Sequence, residues 1–122
     1  MTIQWRNNMP ETLKMTTQDH FADFEIIRTY EMVRGNTVRS RHLGKDIMAA
    51  LRGIVGGEVP EYTKMLAEAR EQATDRMTER ALQYGANAIV GVRYTMSTIG
   101  TNAAEVLAFG TAVFIRPKSL PQ

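Results

Sequence analysis

Two periodicities divide the chain. Phe24 to Val33 (FEIIRTYEMV) is rich in β-branched and aromatic side chains, which favour a pleated strand, and Arg34-Gly35-Asn36 carries the residue types that reverse a chain. The expected return arm, TVRSRHL, alternates: Thr37, Arg39, Arg41 and Leu43 on one face, Val38, Ser40 and His42 on the other. Neither face is strongly apolar, so this hairpin belongs at an edge or an interface. The period then becomes helical. In KDIMAALRGIV, Ile47, Leu51 and Ile54 recur beside Met48 and Val55 at three- and four-residue intervals, with Asp46 where a helix N-terminus favours negative charge. Gly56-Gly57 stops this short helix, and Pro60 suits the first turn of a longer one running from about Glu61 to Tyr84, closed by Gly85 as an αL cap. Around that helix Tyr62, Leu66, Ala69, Ala73, Met77, Ala81 and Tyr84 form one apolar stripe, opposite Lys64, Glu68, Glu71, Asp75 and Glu79.

After the cap the alternation returns. Val90, Val92, Tyr94 and Met96 fall on one side, and Gly91, Arg93, Thr95 and Ser97 on the other. Gly100-Thr101-Asn102 turns the chain, and AEVLAFGTAVFIR runs back antiparallel. One face of this last strand carries Leu107, Phe109, Val113 and Ile115; the other carries only Ala108, Gly110 and Ala112. A strand apolar on both sides needs cover on both, and one helix layer supplies only one, so a partner chain is expected on the second. The order strand, strand, helix, helix, strand, strand predicts an α+β domain: an antiparallel sheet with its helices on one face. Residues 1–20 lack either period and read as a mobile N-terminal extension whose one large anchor is Trp5; the domain is expected over 21–117, with 118–122 as a tail.

Composition narrows the class. With 122 residues there is room for one core, and 43% apolar with 23% charged residues and a net charge of +2 excludes collagenous and disordered classes. No apolar run approaches a membrane span, and the opening MTIQWRNNMPETLK has no signal-peptide core, so a cytoplasmic protein without a membrane partner is expected. The chain has no cysteine, which rules out disulfides, thiolate zinc sites, iron–sulfur clusters and a cysteine nucleophile. No cofactor is expected.

Three segments carry a resemblance: VRGNTVRSRHLGKDIMAALRGIVGGEVPEYTKMLAEAREQATDRM, YGANAIVGVRYTMS and AAEVLAFGTAVFI. The most specific parts are Gly85-Ala86-Asn87-Ala88 leading into Gly91-Val92-Arg93, Gly56-Gly57 ahead of Tyr62, and Gly110-Thr111-Ala112-Val113. From about Glu25 to Arg116 the chain resembles the YbjQ-like family of small bacterial and archaeal proteins, often labelled heavy-metal-binding. The resemblance implies a dodecin-like subunit in a ring-shaped homopentamer with no established reaction. Gly85-Ala86-Asn87-Ala88 also has a purely structural reading: Gly for positive φ, Ala for a tight crossing, Asn for local hydrogen bonds.

Candidate chemistry is sparse. Arg28, Arg34, Arg39, Arg41 and Lys45 stand against Glu31 alone, a basic stretch in a nearly neutral chain. The forked donors of Arg39 and Arg41 suit a carboxylate or phosphate, and Arg34, Arg39 and Arg41, with Arg93 and Glu105 on the later hairpin, are the candidate interface or anion-binding residues. Solvation and pairing with the acidic helix face of a neighbouring copy are the competing readings. Five positive groups neutralise few phosphates, so no specific nucleic-acid partner is expected. His42 and Asp46 are weak metal candidates: their four-residue spacing works only within a helix, and soft metals prefer the thiolates this chain lacks. Glu105 with Arg93 is the nearest polar pair on the hairpin, of a kind that is usually structural. The expectation is an oligomeric binding or assembly module, partnered by copies of itself, with room for an unknown small ligand. A metal or small-anion binder using a pore or subunit cleft is the alternative, and an enzyme the third choice.

Overall fold

The computed structural model describes residues 13–40, 60–99 and 103–119. The helix expected near residues 45–55, the 100–102 turn, Trp5, Arg41, His42 and Asp46 lie outside them. Four strands and one helix are present: β1 (Lys14–Met15), β2 (Phe24–Ser40), α1 (Pro60–Gln83), β3 (Ala88–Ile99) and β4 (Ala103–Pro117). The sheet order is β1-β3-β4-β2. β4 pairs antiparallel with β2 and β3, while β1 runs parallel to β3, so the sheet is mixed instead of purely antiparallel.

The helix follows its sequence signals. Pro60 is its first residue, and Gly85, just beyond the last turn, has φ 88°. Of the expected stripe, Ala69, Ala73, Met77 and Ala81 are wholly buried, one residue per helical turn, and Leu66 is half-buried; Tyr84, at the end, is exposed. They pack on Val33, Ile89, Val92, Val106, Ala108 and Ala112 to form the main core. Small residues on both sides bring the helix backbone close to the sheet, where dispersion contacts are dense.

This close approach corrects the expected hairpin. Residues 24–40 form one 17-residue strand, with no reversal at Arg34-Gly35-Asn36. Gly35 is there to let the helix in: a Cβ on it would collide with the Ala73 carbonyl and the Met77 amide. Arg76 seals the crossing by donating to the Asn36 carbonyl. The glycine signals a tight contact between elements, which a reading along the chain mistakes for a turn.

A second correction concerns Gly91. The β3–β4 register slips between Val90 and Arg93, and Gly91 has φ 64°, marking a β-bulge. Val90 and Val92 therefore leave their expected common side. Val92 joins the helix-facing core, while Val90 packs with Ala88, Val113 and Ile115 on the opposite face.

The N-terminal segment is the third. The expected mobile extension over 1–20 conflicts with the placement of residues 13–20, where Leu13 lies in the main core and Lys14 and Met15 pair with Ala88 and Ile89. The bulge turns the amides of Gly91 and Val92 toward this segment, and they donate to Gln18 and Thr16 carbonyls at 2.8 and 3.0 Å. The domain therefore begins before Phe21.

Asn87 explains part of the Gly-Ala-Asn-Ala crossing, though not through local bonds. Its side chain donates to the Ile115 carbonyl at 2.9 Å and accepts from the Ile115 amide at 2.8 Å, imitating a ladder pair 28 residues away.

Candidate functional site

In an antiparallel ladder, paired residues share a face. The register therefore assigns the face of the sheet away from α1. Three rows cross it: Arg34–Phe109–Arg93, Asn36–Leu107–Thr95 and Val38–Glu105–Ser97. Its two ends are unlike. At one, Ala88, Val90, Val113 and Ile115 are buried beneath Phe21 and Phe24, whose rings meet edge to face at 6.2 Å. At the other, Leu107 and Phe109 are only half-buried, and Met32, Val38 and Ile99 are 61%, 52% and 49% exposed. Phe21, just before β2, and Phe24, at its start, cover one end of this face and, among the described residues, nothing covers the other.

Three of the five candidate interface residues share this face: Arg34, Arg93 and Glu105. The expected Arg93–Glu105 pair does not form. Arg93 lies opposite Phe109 and Glu105 opposite Ser97, because the bulge sets the register of β3. Arg93 donates to the Thr17 and Val92 carbonyls and so ties the N-terminal segment to the sheet. Glu105 instead accepts from the Asn36 amide at 2.9 Å. Arg39 pairs with Ala104, in the same alternation as the helix-facing Val33, Gly35 and Thr37, and so falls on the other face from Arg34. Its Nε and the Thr37 hydroxyl are buried with no hydrogen-bond partner among the described residues.

At the edge of β2, Arg34, Gly35 and Asn36 form one wall of a cleft of about 490 Å³, and Arg76, Glu79, Arg80 and Gln83 of α1 form the other, with Glu105 and Leu107 of β4 completing the lining. Sequence reasoning missed Arg76 and Arg80. It read β2 as a hairpin, which kept α1 away from Arg34, and on the polar side of the helix it singled out only Lys64 and four acidic residues.

The helix face over β3 is thinly covered. Tyr94 is 45% exposed and is steadied by Thr74, whose hydroxyl donates to the Arg70 carbonyl and so accepts from the Tyr94 hydroxyl at 2.7 Å. On the surface, His20 holds the Asp19 carboxyl below its ordinary range through a 2.6 Å hydrogen bond. Both side chains are too exposed for the contact to matter to stability.

These elements define a class of small α+β domain: in the described residues, one helix on a mixed four-stranded sheet whose second face they cover in part. The chain belongs to the YbjQ family, described as "Putative heavy-metal-binding", whose match spans residues 13–116. It is 52% identical over 101 residues to a UPF0145 protein of Methanococcus vannielii, covering 83% of this chain and 96% of that one. A UPF0145 protein of Methanosarcina acetivorans is 54% identical over 101 residues (83% and 95%), and one of Thermus thermophilus is 48% identical over 103 residues (84% and 90%). The fold matches a crystal structure of a DUF74 family protein of unknown function from Pediococcus pentosaceus with a TM-score of 0.57 at 15% identity, covering 84% of this chain and 96% of that one. The family match starting at residue 13 agrees with the buried position of Leu13.

The family description makes a metal the first cofactor to test. The chain has no thiolate, and among the described residues no three of His, Asp and Glu come together to hold an ion. The described part of a single subunit does not fit a soft-metal centre. No helix of the described residues is long and apolar enough to cross a membrane.

Proposed function

We propose that this protein is a self-assembling subunit, a binding or assembly module and not an enzyme, whose copies close into a ring. One observation carries the reading: the half-covered sheet face, where Leu107 and Phe109 sit among the exposed Met32, Val38 and Ile99. An apolar patch rimmed by Arg34, Arg93 and Glu105 has the make-up of an interface, with an apolar centre and a polar border. The pentameric count and the dodecin-like character of the ring come from the family resemblance alone. Placement in the cytoplasm belongs to the same reading, supported by the cysteine-free composition.

Light scattering on the full chain tests the proposal. The expected mass is about five times 13.7 kDa; a stable monomer at micromolar concentration overturns it. A ring brings several copies of one residue around an axis, so symmetry can build a metal site that one chain lacks. Titration with zinc, copper and cadmium is expected to show no binding tighter than about 1 μM. Stoichiometric tight binding that vanishes in His42→Ala would establish the metal function instead.

A further inference from the structure

The geometry points to a phosphate-ester site in the cleft between the edge of β2 and α1, with Arg34, Arg76 and Arg80 holding the phosphoryl group. The inference deepens the small-anion reading by placing it, in a cleft that shares Arg34, Glu105 and Leu107 with the proposed interface. Three guanidinium groups line this cleft with two carboxylates, Glu79 and Glu105. Groups of opposite charge so close usually pair. Among the described residues, however, the ion pairs are Asp19–His20 and Glu25–Arg116, and none joins two groups of the cleft.

The local contacts show why. Glu105 is turned toward Asn36, whose amide donates to it, and Arg76 is committed through one nitrogen to the Asn36 carbonyl. That second bond fixes Arg76 against the strand edge, and its other donors have no partner among the described residues. Asn36 thus holds one acid and one base of the cleft in separate contacts. Arg80 lies one helical turn beyond Arg76 on the same wall, and Arg34 lines the cleft from the exposed edge of β2.

Guanidinium forks match the oxygens of a phosphate in pairs, and three of them suit a doubly charged group better than a single carboxylate. The cleft, at about 490 Å³, also holds more than a bare phosphate. Glu79, Gln83 and Glu105 offer acceptors there, which suits an organic remainder bearing hydroxyl groups, and Leu107 adds a small apolar surface. The ligand class is therefore a small hydroxylated phosphate monoester.

Isothermal titration of the full chain at low ionic strength, with inorganic phosphate and with ribose 5-phosphate as probes, tests this. Both are expected to bind, the ester more tightly, with affinity falling as salt rises. The Arg34→Ala/Arg80→Ala double variant is expected to lose at least about tenfold in affinity. Arg116→Ala, outside the cleft, should change nothing. Absence of binding by either probe at about 10 mM, far weaker than a specific small-ligand site, overturns the proposal, as does equal binding by the double variant. Should that variant not fold, Glu79→Gln replaces it: removing a carboxylate from the cleft is expected to tighten inorganic phosphate, and unchanged affinity counts as failure. Light scattering on the same samples separates this outcome from the assembly reading, since either can fail while the other stands.

Discussion

The two faces of β4 solve the same burial problem in opposite ways. Toward α1 the strand presents Ala108, Gly110 and Ala112, so little side-chain area is available and the stabilisation comes from a helix backbone packed close. On the other face it presents Leu107, Phe109, Val113 and Ile115, large side chains that need a thick cover; among the described residues, Phe21 and Phe24 supply it at the Ile115 end alone. Tight packing is intolerant of added atoms, whereas a thick apolar face depends on whatever lies over it. The two faces should therefore fail in different ways.

The largest effect is expected on the tight face. Gly35→Ala places a methyl against helix backbone that cannot move aside, and a loss of about 3 kcal/mol or outright failure to fold is expected. Ala112→Leu overfills the same layer and should cost roughly 1–3 kcal/mol. Chemical denaturation measures both, and unchanged midpoints would show that the helix can ride higher than it does. Next comes truncation. Deleting the chain through Gln18 removes Leu13, β1 and the bonds to Gly91 and Val92, and is expected to cost about 2 kcal/mol or more from the lost core side chain. A truncated chain that melts like the full one would restore the reading of this segment as dispensable. The smallest change in subunit stability belongs to the open end of the thick face. Phe109→Asp is expected to leave the melting of the isolated subunit within about 1 kcal/mol while abolishing the oligomer in light scattering, because an interface tolerates an unpaired charge poorly. An oligomer that survives would move the interface elsewhere.

Much of this was legible in the residues. The helix, its proline start and glycine stop, the two faces of β4 and the antiparallel pairing of β3 with β4 all follow from local period and capping chemistry. The failures share one cause. Gly35, Gly91 and Leu13 take their meaning from elements far away in sequence: Gly35 from a helix crossing it, Gly91 from a slip against β4, Leu13 from strand pairing more than 70 residues on. A glycine inside an apolar run signals a turn, a bulge or a close approach, and only the partner decides which. The candidate site fared likewise. Arg34, Arg93 and Glu105 were found from charge, but the cleft needed Arg76 and Arg80, which meet Arg34 only because β2 runs straight through the supposed turn.

The uninterrupted β2 also has a consequence for how the chain folds. Among the described residues its one strand partner is β4, in a pairing that joins Glu25 to Arg116 across 91 residues. Contacts of such long span close slowly, because the entropy of the intervening loop is lost before any pairing energy returns. During synthesis, at about 5–20 residues per second, β2 is made first and must wait for almost the whole chain before its partner emerges. The contiguous stretch of α1, β3 and β4 can organise earlier from nearer contacts. β2 is then the last to dock, and until it does, its long unpaired edge is the part of the newborn chain most open to pairing with the wrong molecule.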